Sequence, residues 1–268
     1  VGQKSSIILG LGLLLGTWTS VQASDAVSRE SFCNLDRQDF IAEFAETPNR
    51  LGFENPAGKL DMGVCWWDSM FQRSAIYLTV FRPELPRGTF SETSRLIHEI
   101  IKMQNVVEIP GYSDLLSFST DYRTEITRQL SNWQLEDGFI KQSWILDLSL
   151  GNDVARANVL SQKMDKIYNE FSQNNFVPFV RLKLGRVVSH ALLIIDIAPL
   201  AGARGYQMQV IDSNLSRRTE TVTYRYGDTS LALPEDDISE FIPTEGHDFD
   251  FQLIRNAINN YCAGHEAF

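Results

Sequence analysis

The chain is short of the residues from which metal and cofactor sites are built. It holds three cysteines and four histidines, and no His, Asp or Glu grouping in it has zinc-ligand spacing. No Gly-Lys-Ser/Thr phosphate loop occurs. There is no internal repeat and no low-complexity tract. Basic residues are outnumbered, 24 against 34 acidic ones, giving a net charge of −10. That deficit argues against a nucleic-acid partner and against an anionic membrane surface. Nothing calls for a cofactor or a metal, and a monomer is expected.

Long apolar runs are also scarce. The one near the start, Ile7 to Leu15, is too short to span a bilayer as a mature helix. Lys4 precedes it, and small residues follow up to Ala23, so residues 1–23 read as a signal peptide cleaved after Val21-Gln22-Ala23. Its removal with Lys4 takes the net charge from −10 to −11. The mature chain, 24–268, is expected to be one soluble domain, secreted or periplasmic. Its apolar content of 43% supports a substantial core.

An exported chain can form disulfides. Three cysteines allow one bridge and leave one thiol. Cys33 near the mature N-terminus and Cys262 near the C-terminus are the expected pair, tying the ends together. Cys65 then keeps its thiol.

Periodicity divides the chain. Helices are expected over Arg37–Glu46, Cys65–Phe81, Ser91–Met103 with Ser91 as N-cap, segments capped by Ser113 or Ser119 running to Leu135, and Asp153–Phe171. Glu108–Tyr112 reads as a loop. Strands rich in Val, Ile, Tyr and Thr follow at Val177–Leu184, His190–Ile197, Tyr206–Ile211 and Thr219–Tyr226. A helix over Phe249–Tyr261 closes the chain. Helices first and antiparallel strands second make the fold class α+β.

Cys65 stands where a helical pattern begins, in Gly63-Val64-Cys65-Trp66-Trp67. The thiolate is the nucleophilic form of cysteine, and a helix N-terminus favours it through its partial positive charge and open N–H groups. The Cys65 backbone N–H could also face a developing oxyanion. Alone, such a cysteine is as readily structural. Of the four histidines, His98 lies on a charged helix face, His247 in an exposed loop and His265 in the tail. His190 differs, because it opens an apolar strand in Ser189-His190-Ala191-Leu192-Leu193-Ile194-Ile195 and needs a polar partner there. Asp212 ends the next strand in Val210-Ile211-Asp212-Ser213-Asn214, in register to orient that imidazole. Trp66-Trp67 reads as core plus a groove wall. Together Cys65, His190 and Asp212 read as a Cys-His-Asp nucleophile system.

The pattern resembles papain-like cysteine peptidases in the broad sense, over about Asn55 to Asn214. Cys65-Trp66 matches the nucleophile at the head of the central helix. His190-Ala191 matches the base, and Asp212-Ser213 the orienting position, with Asp where papain has Asn. The resemblance implies a papain-like fold, with the central helix starting at the cysteine, and hydrolysis of peptide or protein substrates through an acyl-thioester. The family's oxyanion glutamine, six residues before the cysteine, corresponds to Lys59. Asn55 is the candidate side-chain donor instead, should its loop fold back. Alternatives left open are a transglutaminase-like or cell-wall amidase acyl transfer, and a non-catalytic papain-fold envelope protein that binds a partner.

Overall fold

A computed structural model describes residues 28–55, 64–136, 156–174, 176–184, 188–233, 242–244 and 248–264. The expected signal peptide, Lys59, His247 and His265 lie outside the described residues. The fold is mixed α+β. It opens with α1 (Arg29–Cys33), α2 (Arg37–Ala45) and a 3-10 turn (Thr47–Asn49). Asp36 caps α2 and takes part in a reciprocal capping box with Asp39.

The central helix, α3, spans Cys65–Leu78. It is enclosed on nearly all sides, and even Asp68, Ser69, Gln72, Arg73 and Ser74 are buried. Two apolar clusters explain this. On one side Met70, Tyr77 and Leu78 meet Phe32, Phe40 and Phe44, together with Ala191, Leu193 and Ile195. On the other side Trp67, Phe71 and Ala75 meet Ile97, Ile100, Ile109, Phe118 and Leu130. A helix with apolar neighbours on both sides becomes the centre of the molecule rather than a surface layer.

The helix ends sooner than its apolar spacing suggests. Thr79–Arg82 is a strand, β1, and pairs in parallel with β2 (Val107–Pro110), in the stretch read as a loop. Between them runs α4 (Phe90–Lys102), the crossover that a parallel pair requires. Its N-cap is Thr89 rather than Ser91, and Thr89 and Glu92 close a capping box. Then come α5 (Leu115–Asp121), capped by Asp114, and α6 (Arg123–Leu135). The next described helix, α7, spans Ala157–Asn174. Residues 153–155, its expected start, lie outside the described residues.

The antiparallel sheet follows: β3 (Phe179–Leu184), β4 (Val188–Pro199), β5 (Gly205–Asp212), β6 (Glu220–Arg225) and β7 (Ile242–Thr244), in the order β6-β5-β4-β3-β7. A 3-10 turn, Ser213–Leu215, follows β5, and α8 (Asp248–Ala263) closes the described chain. Both faces of β4 are covered. Ala191, Leu193 and Ile195 join the α3 side, while Leu192 and Ile194 pack with Leu160 and Met164 of α7. Double coverage accounts for the unbroken apolar run after His190.

Cys33 and Cys262 form a disulfide, with Cα atoms 5.6 Å apart and a sequence separation of 229. It ties α1 to α8. Cys65 keeps its thiol and is buried. No helix among the described residues is long and apolar enough to cross a membrane.

Candidate active site

Cys65 is the first residue of α3. Val64 occupies the N-cap and makes no side-chain capping bond. The first turn therefore presents backbone N–H groups that no cap residue has taken, alongside the positive end of the helix dipole. Trp67 is driven into the core, whereas Trp66 is only half-buried. Trp66 stacks on Phe179 at 6.2 Å, and the Arg181 guanidinium lies over its ring at 4.2 Å.

His190 lies near the start of β4, and Asp212 is the last residue of β5. Across the two strands Asp212 is paired with Leu192, so it is the diagonal neighbour of His190. The gap is closed by side chains: His190 Nε2 lies 2.7 Å from Asp212 Oδ1. An ionised carboxylate only accepts, so Nε2 carries the hydrogen. Nδ1 is thereby left for Cys65, with which His190 shares a second side-chain hydrogen bond. Asp212 Oδ1 also accepts from the Asn214 N–H at 2.7 Å, which fixes the carboxylate against the turn that follows. His190 and Asp212 are 8% and 5% exposed.

Burial pulls the imidazole pKa down. The hydrogen bonds to Asp212 and Cys65, with the negative charges of both, outweigh it and bring His190 up to about 10. The ring is therefore an imidazolium at neutral pH. Its Nε2–H then faces a carboxylate and its Nδ1–H a sulfur, as nucleophilic cysteine chemistry needs.

Residues 52–55, upstream of Cys65, pack against the turn that follows Asp212. The Asn55 N–H donates to Ser213 O at 2.9 Å, and Asn55 Nδ2 donates to Asn214 Oδ1, also at 2.9 Å. Ser216 Oγ donates to Phe53 O at 2.7 Å, and Arg217 Nη2 to Gly52 O at 2.6 Å. The structure thus brings Asn55 beside the Asp212 turn, with its amide nitrogen engaged by Asn214. His98 is exposed on α4. Among the described residues no cluster of three or more His, Cys, Asp or Glu side chains is arranged to hold a metal ion.

One residue of the site was not anticipated. Asp68, one turn after Cys65, is fully buried at 0% exposure. Neither of its carboxyl oxygens has a hydrogen-bond partner among the described residues. Burial first, and the charge of Asp212 second, push its carboxyl well above the usual carboxylate range. In the sequence an Asp in the first turn of a helix reads as an ordinary dipole partner, and nothing local announces its burial.

Compared with known protein families, characterised proteins and solved structures, the chain matches none.

Proposed function

We propose that the chain is an exported cysteine peptidase of papain-like arrangement, acting through Cys65, His190 and Asp212. One observation carries this reading: the unbroken line of contacts from the Cys65 side chain to His190 and on to Asp212, at the N-terminus of a central helix. A helix headed by the nucleophile and packed on an antiparallel sheet that supplies base and orienter supports the papain-like reading. The Cys33–Cys262 disulfide supports an oxidising compartment, as does the expected leader at residues 1–23.

The chemistry is that of acyl transfer. The Cys65 thiolate attacks the peptide carbonyl carbon, and an S–C bond forms. Negative charge moves to the carbonyl oxygen, where N–H groups of the first turn of α3 can meet it. The C–N bond breaks as the His190 imidazolium gives its proton to the leaving amine. A water then loses a proton to neutral His190 and attacks the thioester, and the C–S bond breaks to release the acid. Asp212 holds the imidazole in the tautomer that faces sulfur.

The test is hydrolysis of a generic unfolded protein by the wild-type chain and by Cys65→Ala. Cleavage by the wild type and none by the variant is expected. Equal cleavage by both, or none by either under reducing conditions, overturns the reading.

A further inference from the structure

Asp68 takes no part in that chemistry, yet it lies inside the site. It sits on α3 three residues after Cys65, so both project from the same side of the helix. α3 packs against the 3-10 turn Ser213–Leu215 that follows Asp212. Both elements carry buried polar atoms. Besides both Asp68 oxygens, Gln72 Nε2 and Ser213 Oγ are buried without a hydrogen-bond partner among the described residues. The charge that acts on Asp68 is that of Asp212, which has the same sign. Among the described residues, the other titratable groups of the site are Cys65 on α3 and His190 on β4.

An ionised Asp68 would be desolvated, would accept no hydrogen bond from any described residue and would be repelled by Asp212, and each of these disfavours the charged form. As a carboxylic acid it carries an O–H donor, which in a buried place requires an acceptor. Asp212 is the acceptor of matching kind. Two neighbouring carboxyl groups that cannot both ionise hold one proton between them.

We propose that Asp68 keeps its proton and shares it with Asp212, making it a positioning residue for the His190–Asp212 couple. This rests on the reading of Cys65, His190 and Asp212 as the working site. The pair then presents one negative charge to His190 rather than two. One charge orients the imidazolium. Two would hold its proton too tightly for transfer to a leaving amine. The donor from Asp68 also fixes Asp212 from the α3 side, as the Asn214 N–H fixes it from the turn.

The experiment uses the full chain with carbon-13-labelled aspartate, alongside Asp68→Asn and Asp68→Ala. In the wild type the Asp68 carboxyl signal is expected to be that of the protonated acid at neutral pH. Asp68→Ala removes the donor, should lower turnover about tenfold and should move the His190 titration, followed by NMR, upward. Asp68→Asn keeps a neutral donor and is expected to restore both. An ionised Asp68 signal at neutral pH overturns the proposal, as does an Asn variant that behaves like the Ala variant, or an Ala variant that behaves like wild type. Should Asp68→Ala not fold, the wild-type carboxyl signal decides. Failure of the peptidase reading looks different: no Cys65-dependent turnover in the wild type, with the carboxyl signal and the His190 titration still reporting on Asp68.

Discussion

Replacing Asp212 by Asn removes one negative charge and little else. The amide oxygen can still accept from His190 Nε2 and from the Asn214 N–H, each 2.7 Å away in the wild type. What goes is a charge that holds the imidazole protonated. In the fold His190 rises from 6.5 to about 10, against burial, through the bonds to Asp212 and Cys65 and through their charges. Because the folded value exceeds the unfolded one, the stabilisation is complete below pH 6.5 and is lost as pH rises through about 10. The entire rise would correspond to about 5 kcal/mol, and Cys65 accounts for part of it. A charge-assisted hydrogen bond is roughly twice as strong as a neutral one, so Asp212→Asn should cost about 1–3 kcal/mol on the acid side. The assay is urea unfolding of wild type and variant at about pH 6 and about pH 10.5, the difference being taken at each. The expected difference is large at the lower pH and shrinks toward zero at the higher. A pH-independent difference, or none, would refute the claim that this contact is an ion pair.

Three further perturbations read other parts of the fold. Reducing the Cys33–Cys262 bridge in a Cys65→Ala background should cost about 2–5 kcal/mol, seen as a lower Tm with reductant; an unchanged Tm would contradict a bridge closing a loop of 229 residues. Glu125 accepts from Arg128 at 2.7 and 2.6 Å, from Ser94 at 2.5 Å and from Gln129 at 2.8 Å. Led by the Arg128 hydrogen bond, these hold its carboxyl down to about 2, so the stabilisation is present above its ordinary value of 4.5 and lost as pH falls through about 2. With Arg128 largely solvated, Glu125→Gln should cost about 1–2 kcal/mol near neutral pH, and acid titration of unfolding should bring variant and wild type together. Gly205 has φ +149°, and a Cβ there would lie 2.1 Å from Tyr224 O, a backbone atom of the paired strand. Gly205→Ala should therefore lower stability by more than about 2 kcal/mol, and a Tm equal to wild type would contradict the β5–β6 pairing described.

The local signals that were legible are those that depend on few residues. Cys65 heads a helix because an apolar periodic run follows it directly. His190 stands out because every residue from Ala191 to Ile195 is apolar, and that run exists because α3 and α7 cover opposite faces of β4. The parallel pair β1–β2 was not legible. Val80 and Phe81 fit helical spacing as well as strand alternation, and four-residue strands give too short a pattern to choose between them. Their partners, Val107 to Pro110, lie on the far side of α4. The α4 cap could have been read more closely, since Thr89 and Glu92 have capping-box spacing. Asp68 was beyond reach for another reason. Its character is set by what packs around α3 from both sides, and burial of that kind is a property of the assembled core.

The most direct test of the site is the rate at which iodoacetamide alkylates Cys65 as a function of pH, in the wild type and in His190→Ala. Rapid alkylation of the wild type is expected at mildly acidic pH, where an ordinary thiol with a pKa of about 8.5 is almost unreactive. His190→Ala is expected to lose that acid-side reactivity while retaining the fold. A Cys65 that reacts no faster than an ordinary thiol, or equally fast with and without His190, would contradict the thiolate–imidazolium pair on which the proposed activity depends.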